Sequence, residues 1–184
     1  MITSNLLRGE RTRLTAIESR DIATIASWWE DTDFLRHFDS TPAFPKTEDQ
    51  LSRMISDEQA SRNGYLFGIR MADADELVGL LQVDGIQWPH RTAYISIGLG
   101  DQDKRGQGLG GEAMRLGLQF AFQELNLHRL TLSVFSYNER AIALYERLGF
   151  VREGVYREYL ERDGLRYDMF LYGLLRHEWL ATVS

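Results

Sequence analysis

The 184-residue sequence contains no cysteine. That excludes disulfides, thiolate nucleophiles and cysteine-ligated zinc. Proline is sparse: two of the three, Pro42 and Pro45, share one turn-rich stretch, and no segment reads as a linker. No apolar run approaches the roughly 20 residues that span a bilayer. The opening residues, MITSNLLRGERTRL, lack the apolar core of a secretion signal. Positive charge is in the minority, with 21 Lys and Arg against 27 Asp and Glu. The resulting acidity argues against the basic face that nonspecific nucleic-acid binding requires, but it does not disfavour an amine substrate. The four histidines, His37, His90, His128 and His177, lack metal-ligand spacing. The expectation is a cytoplasmic protein with no metal, no membrane span and no nucleic-acid partner.

What is present is an ordinary globular composition, 43% hydrophobic and 26% charged, enough for one core and one domain over residues 1–184. Arg11–Ile17 reads as a strand. Ser19–Trp29 has helical apolar spacing at Ile22, Ile25, Ala26 and Trp29, with Ser19 as an N-cap. Residues 30–47 read as turns, and Thr47 caps a second helix. Three strands follow, at 65–71, 77–86 and 92–100. A glycine-rich loop then opens a helix from about Gly108 to Glu124. Next come a strand at 130–135 and a helix capped by Asn138 and stopped at Gly149. A long hairpin closes the pattern, turning at Asp163-Gly164. This order predicts an α/β (α+β) domain with a mixed sheet.

The densest signal is KRGQGLGGEAMRLGLQFAF, Lys104–Phe122. Glycines let successive N–H groups converge, and at a helix start those groups and the helix dipole favour an anion, commonly phosphate. A purely structural loop and cap is the alternative. The segment lacks the Gly-Lys-Ser/Thr of a P-loop. Gly106, Gly108 and Gly111 spell G-x-G-x-x-G, but the acidic residue expected about 20 positions on is missing from RLTLSVFSY, Arg129–Tyr137.

RGQGLG, Arg105–Gly110, instead resembles the [Q/R]-x-x-G-x-[G/A] loop of the GNAT superfamily of acetyl-CoA-dependent N-acetyltransferases. After one helix and one strand, NERAIALYERLGF, Asn138–Phe150, matches that family's Asn and A-x-x-L-Y-x-x-x-G-F pattern. AYISIGL resembles its fourth strand. The start, LRGERTRLTAIESRDIATIASWWED, and the end, REYLERDGLRYDMFLYGLL, resemble the RimJ/RimL-like branch; the end also resembles related spermidine acetyltransferases. The likeness covers nearly the whole chain.

The resemblance implies a GNAT fold, a single domain with a central mixed, mostly antiparallel, splayed sheet flanked by helices. It implies that acetyl-CoA is the cosubstrate and that its pyrophosphate meets the main chain of Arg105, Gly106, Gln107, Gly108, Leu109 and Gly110. Pantetheine would lie along Ile97, Gly98 and Leu99; Gly98 suits a bulge or close approach, or is a plain strand glycine. Asn138 and Ala141 would contact the cofactor, and Asn138 also reads as a helix cap. Tyr145, otherwise a core residue, would be the general acid toward the departing CoA thiolate.

The sequence departs from the family at the fourth-strand glutamate, where Tyr94 stands. Asp84, His90 and Glu30 are candidate bases by residue type alone. On the acceptor side, Trp28, Glu30, Asp31 and Tyr94 are candidate substrate contacts; a solvated acidic helix end is the plainer reading of the acids. The expected reaction is direct transfer to a primary amine, most of all a protein N-terminal α-amine. A polyamine, amino sugar or antibiotic is the alternative, and a non-catalytic acyl-CoA-binding protein is a further one. A homodimer is implied by the branch alone.

Overall fold

A computed structural model describes residues 5–183. Its seven strands are β1 (Thr12–Thr15), β2 (Tyr65–Met71), β3 (Leu77–Gln87), β4 (Thr92–Leu99), β5 (Arg129–Phe135), β6 (Val151–Arg162) and β7 (Leu165–Leu175). They form one sheet in the order β1-β2-β3-β4-β5-β7-β6. Every neighbouring pair is antiparallel except β4 and β5, which are parallel. A parallel pair needs a crossover, and α4 (Leu109–Gln119) supplies it, continuing as a π-helical turn over Phe120–Glu124.

Both faces of the central strands are buried, which explains the near-continuous apolar run in β3. Leu81, Val83 and Ile95 pack with Ala113, Met114 and Tyr145 beneath α4 and α5 (Glu139–Arg147). Leu77 and Leu80 pack on the other face with Ile25, Trp28, Leu51 and Ile55, from α1 (Ile22–Trp28) and α3 (Glu48–Ala60). Gly117 of α4 permits close packing: a Cβ there would stand 2.7 Å from Leu81 Cδ1.

The mixed sheet, the Thr47 cap and the Asp163-Gly164 turn are as the sequence suggests. Thr47 Oγ1 accepts from the Gln50 N–H at 3.3 Å, and both turn residues have positive φ, 54° and 77°. Two expectations are corrected and one element is added. Residues 30–47 are not all turn, because α2 (Thr32–Phe38) forms there. Its apolar residues are few, but Phe34 stacks on Phe38 at 5.1 Å and both meet Trp29 edge-on. Ser19 is not the first cap: Glu18 is, and its N–H donates to Asp21 Oδ2 at 2.8 Å while Ser19–Asp21 make a 3-10 turn. The chain after β7 continues as α6 (Arg176–Val183), whose Trp179 stacks on Phe122 at 5.2 Å.

Candidate active site

The parallel pairing of β4 and β5 is brief. Thr92, Ala93 and Tyr94 pair with Arg129, Leu130 and Thr131, and from Ile95 onward the strands part. β3 holds the other edge of β4 as far as Leu99, and β7 holds β5 as far as Phe135. Among the described residues, the facing edges of Ile95–Leu99 and Leu132–Phe135 therefore have no strand partner. The opening is a slot through the sheet about 13 Å long on the β4 side, the four steps from Ile95 to Leu99 at ~3.3 Å each. Ile97 and Leu99 face α4, and Gly98 faces α2. A Cβ at Gly98 would lie 2.6 Å from Phe38 Cδ2 and 3.1 Å from Phe34 Cε2. Close approach of these rings explains the glycine.

The glycine loop sits at the wide end of this slot. Gly106 and Gly108 have φ of 78° and 82°, a region L side chains avoid. A Cβ at Gly106 would meet nothing within 4 Å, so the backbone conformation alone requires that glycine. Two side chains of the loop are tied to nearby main chain. Arg105 donates to the carbonyls of Leu99 and Gly100 at 2.9 and 3.1 Å and pairs with Asp31 at 3.1 Å. Gln107 Nε2 donates to the Asp103 carbonyl at 2.6 Å. The main chain is thus the outward-facing part, and Gly108, Leu109 and Gly110 begin α4 with the N–H groups a helix start leaves free. A concentration of N–H dipoles in positive-φ backbone is suited to a phosphate.

Asn138 caps α5, its Oδ1 accepting from the Ala141 N–H at 3.3 Å. α5 lies against α4, with Leu144 Cδ1 3.2 Å from where a Gly111 Cβ would stand. Tyr145 is buried in the same cluster and meets Phe150 edge-on at 5.9 Å. Its hydroxyl has no hydrogen-bond partner among the described residues. Burial pushes the phenol up to about 12. Against a thiol near 8.5, full proton transfer would be uphill by roughly 5 kcal/mol. Tyr145 is therefore equipped to donate a hydrogen bond to developing negative charge, and full transfer is disfavoured.

On the other face, a groove of about 220 Å³ runs between α3, the segment after α2 and β4. Trp29, Phe38, Leu51 and Ile55 form its apolar walls; Glu58, Gln82 and Ser96 supply polar atoms. Gln82 donates to Glu58 at 2.7 Å. The β6–β7 hairpin braces the segment that closes the groove: Arg36 pairs with Asp163 at 2.5 Å, and Arg162 donates to the carbonyls of Asp39, Ser40 and Thr41 at 3.2–3.5 Å.

The structure divides the acceptor-side candidates: Trp28 and Asp31 line one cavity together, while Glu30 and Tyr94 lie elsewhere. Trp28 is buried over Gly100 and lines a different, polar cavity of about 600 Å³ beside α1. The larger cavity is not the one at the slot. Asp31 caps α2 and holds Arg105 and Gln102. Burial raises its carboxyl, but the bonds from Gln102, Phe34 and Arg105 outweigh that and hold it below the usual range. Glu30 is exposed, and His90 lies in the β3–β4 turn. Tyr94 is 57% exposed at the apex of the slot, directly across from Asp84 on β3. Burial and the nearby Glu58 push the Asp84 carboxyl up. Phe38, Glu58 and Gln82 had no motif to announce them; register and packing bring them here. Among the described residues no three His, Asp or Glu side chains gather as a metal site, and no helix is long and apolar enough to cross a membrane.

Known proteins share this arrangement. Residues 11–151 match the family model described as an acetyltransferase (GNAT) domain. The chain is 29% identical over 173 residues to an SPbeta prophage-derived uncharacterized N-acetyltransferase, YokL, of Bacillus subtilis (strain 168), covering 93% of each. It is 25% identical over 179 residues to the [ribosomal protein uS5]-alanine N-acetyltransferase of Escherichia coli (strain K12), covering 94% of this chain and 92% of that one. The crystal structure of spermidine N-acetyltransferase from Vibrio cholerae in complex with CoA and spermine superposes with a TM-score of 0.84 at 25% identity, covering 92% of this chain and 98% of that one. Parted strands, glycine loop, buried tyrosine and family match converge: the chain belongs to the GNAT family of acetyltransferases and is an acyltransferase.

Proposed function

We propose that the protein transfers acetyl from acetyl-CoA directly to a primary amine, and that the acceptor is a protein N-terminal α-amine. The observation that carries the donor half is the parting of β4 from β5 with the loop at its mouth. The loop main chain from Arg105 to Gly110 holds the pyrophosphate. The free edge of Ile97, Gly98 and Leu99 pairs with the pantetheine amides. Asn138 and Ala141, at the start of α5, complete the cofactor contacts. The thioester supplies the activated acetyl group. Tyr145 donates a hydrogen bond to the leaving sulfur. With no cysteine and no serine in a nucleophile-elbow motif, transfer proceeds without an acyl-enzyme and both substrates are bound together; ping-pong kinetics would contradict this.

For the proton on the amine we assign Asp84, acting through water past Tyr94. Strand register sets it opposite the position where the family carries glutamate on the fourth strand. Its raised carboxyl accepts a proton more readily than an ordinary aspartate. An α-amine, with pKa near 8, also needs less help than a lysine near 10.4. An Asp84→Asn variant whose kcat/KM with an α-amine peptide follows the wild-type pH profile would contradict the assignment.

The apolar walls of the groove favour a peptide N-terminus over a polycation, and the ribosomal-protein relative acetylates an alanine by name. The named spermidine relative and Glu58 beside the groove favour the small-amine reading. A panel of N-terminal peptides and polyamines with acetyl-CoA decides: peptide kcat/KM at least tenfold above spermidine supports the proposal, and the reverse order replaces it. CoA binding with no acetylation of any amine would leave a binding protein. The homodimer implied by the branch belongs to the same proposal and is read by sedimentation.

A further inference from the structure

We propose that Arg11, next to the far edge strand β1, is a positioning residue for the pyrophosphate loop. The inference rests on the acetyl-CoA reading above. Arg11 Nη1 donates to the Gln107 carbonyl at 2.9 Å, and its Nε donates to Glu112 Oε2 at 3.3 Å. Glu112 Oε1 also accepts from the backbone N–H groups of Arg11 and Thr12, at 2.8 and 3.2 Å. Gly9 leaves room for that carboxylate, since any Cβ there would collide with it. The guanidinium is thus held in plane by Glu112 and spends its next donor on the loop.

The consequence follows from peptide geometry. In a planar trans peptide the carbonyl and the following N–H point in opposite directions. With the Gln107 carbonyl held on Arg11, the Gly108 N–H faces away from β1. Gly108 then turns, at φ 82°, into the start of α4. Arg11 therefore fixes which way the first anion-binding N–H is aimed.

Charge gives Arg11 a second task. Glu112 lies in the first turn of α4, the helix end proposed to meet the pyrophosphate. Burial raises its carboxyl, but the bonds from the Arg11 and Thr12 backbone and the Arg11 side chain prevail and keep it below the usual range. An ionised carboxylate at that end would repel a phosphate; the Arg11 guanidinium offsets it. Nη2 has no hydrogen bond among the described residues and lies 3.2 Å from where a Gly108 Cβ would stand.

The test compares two acyl donors in the full chain: acetyl-CoA, and S-acetylpantetheine, which lacks the pyrophosphate. Arg11→Met should raise the CoA Kd by calorimetry and the acetyl-CoA KM about tenfold, the loss of one charge-assisted hydrogen bond. It should leave kcat within about twofold and kcat/KM for S-acetylpantetheine unchanged. Arg11→Lys keeps the charge but not the guanidinium fork; it should recover part of the affinity, and it serves where Arg11→Met fails to fold, its smaller loss still confined to acetyl-CoA. Equal losses with both donors would make Arg11 a plain β1–α4 brace and overturn the proposal. Wild-type binding of CoA with no change in either variant would overturn the Arg11 assignment alone. No CoA binding by the wild type would overturn both.

Discussion

The two faces of the sheet are built by different means. Beneath α4 and α5 the groups proposed to hold the cofactor are mostly main chain: positive-φ glycines, helix-start N–H groups and, among the described residues, a strand edge with no strand partner. Beneath α1, α2 and α3 the surface facing the slot is made of side chains, with Phe34 and Phe38 on Gly98 and Glu58 bound to Gln82. The first face uses backbone groups every residue has, placed by glycine. The second depends on which residues meet, and its wall is completed by a hairpin far along the chain. A constant donor molecule suits the first design, and a variable acceptor suits the second.

The sharpest break between the faces is a change that stops chemistry without touching binding. Tyr145→Phe should lower kcat by about 10²–10⁴-fold while the acetyl-CoA Kd stays within a factor of about two. Because the phenol lies at about 12, it remains a donor at all lower pH values, so wild-type kcat should show no alkaline decline from Tyr145 up to pH ~10. A decline absent in Tyr145→Phe would contradict this.

Next is Asp84→Asn, expected to cost about 100-fold in kcat, the low end for acid–base assistance. The sign follows from its raised carboxyl. The base is the carboxylate, present above its pKa, so wild-type kcat/KM falls as pH drops through that value. The variant should lose this acid limb, leaving only the titration of the amine. An unchanged profile would remove Asp84 from the mechanism.

Gly98→Val probes the meeting of the faces. Its side chain would drive Phe38 aside, an overpacking cost of about 1–3 kcal/mol, and Tm should fall by several degrees. The amine KM should rise more than the acetyl-CoA KM, because the added side chain enters the α2 face while the Gly98 main chain stays on the donor edge; the opposite order would show that the valine disturbs the pantetheine edge more than the groove. The smallest effect belongs to Asp163→Ala, which removes an exposed ion pair with Arg36 of the kind that adds little to stability. Stability should barely change, while the amine KM rises a few-fold through a looser α2. An unchanged KM would show that the groove needs no brace from the hairpin.

The same contrast explains what the sequence disclosed. RGQGLG and the Asn138-to-Phe150 segment are local patterns, since backbone geometry must be written in glycine and in helix caps. The Asp163-Gly164 turn was legible for the same reason. The acceptor face was not. α2 is seven residues long and sits among turn formers, so its period hardly shows. Asp31 and Trp28 have suitable chemistry but are engaged in capping α2 and packing on Gly100. Asp84 acquires meaning from a strand register that pairs it with Tyr94, and Arg11 meets Gln107 across 96 positions of chain. Neither distance is encoded locally.

The most direct test is a calorimetric titration with acetyl-CoA of the wild type and of Gly108→Trp, each first shown to be folded by circular dichroism. Gly108 has φ 82° at the start of α4, and a tryptophan there should strain the turn and fill the space before the N–H groups. The account predicts micromolar binding by the wild type and its loss in the variant. No binding by the folded wild type, or equal binding by both, would contradict the placement of the pyrophosphate on this loop.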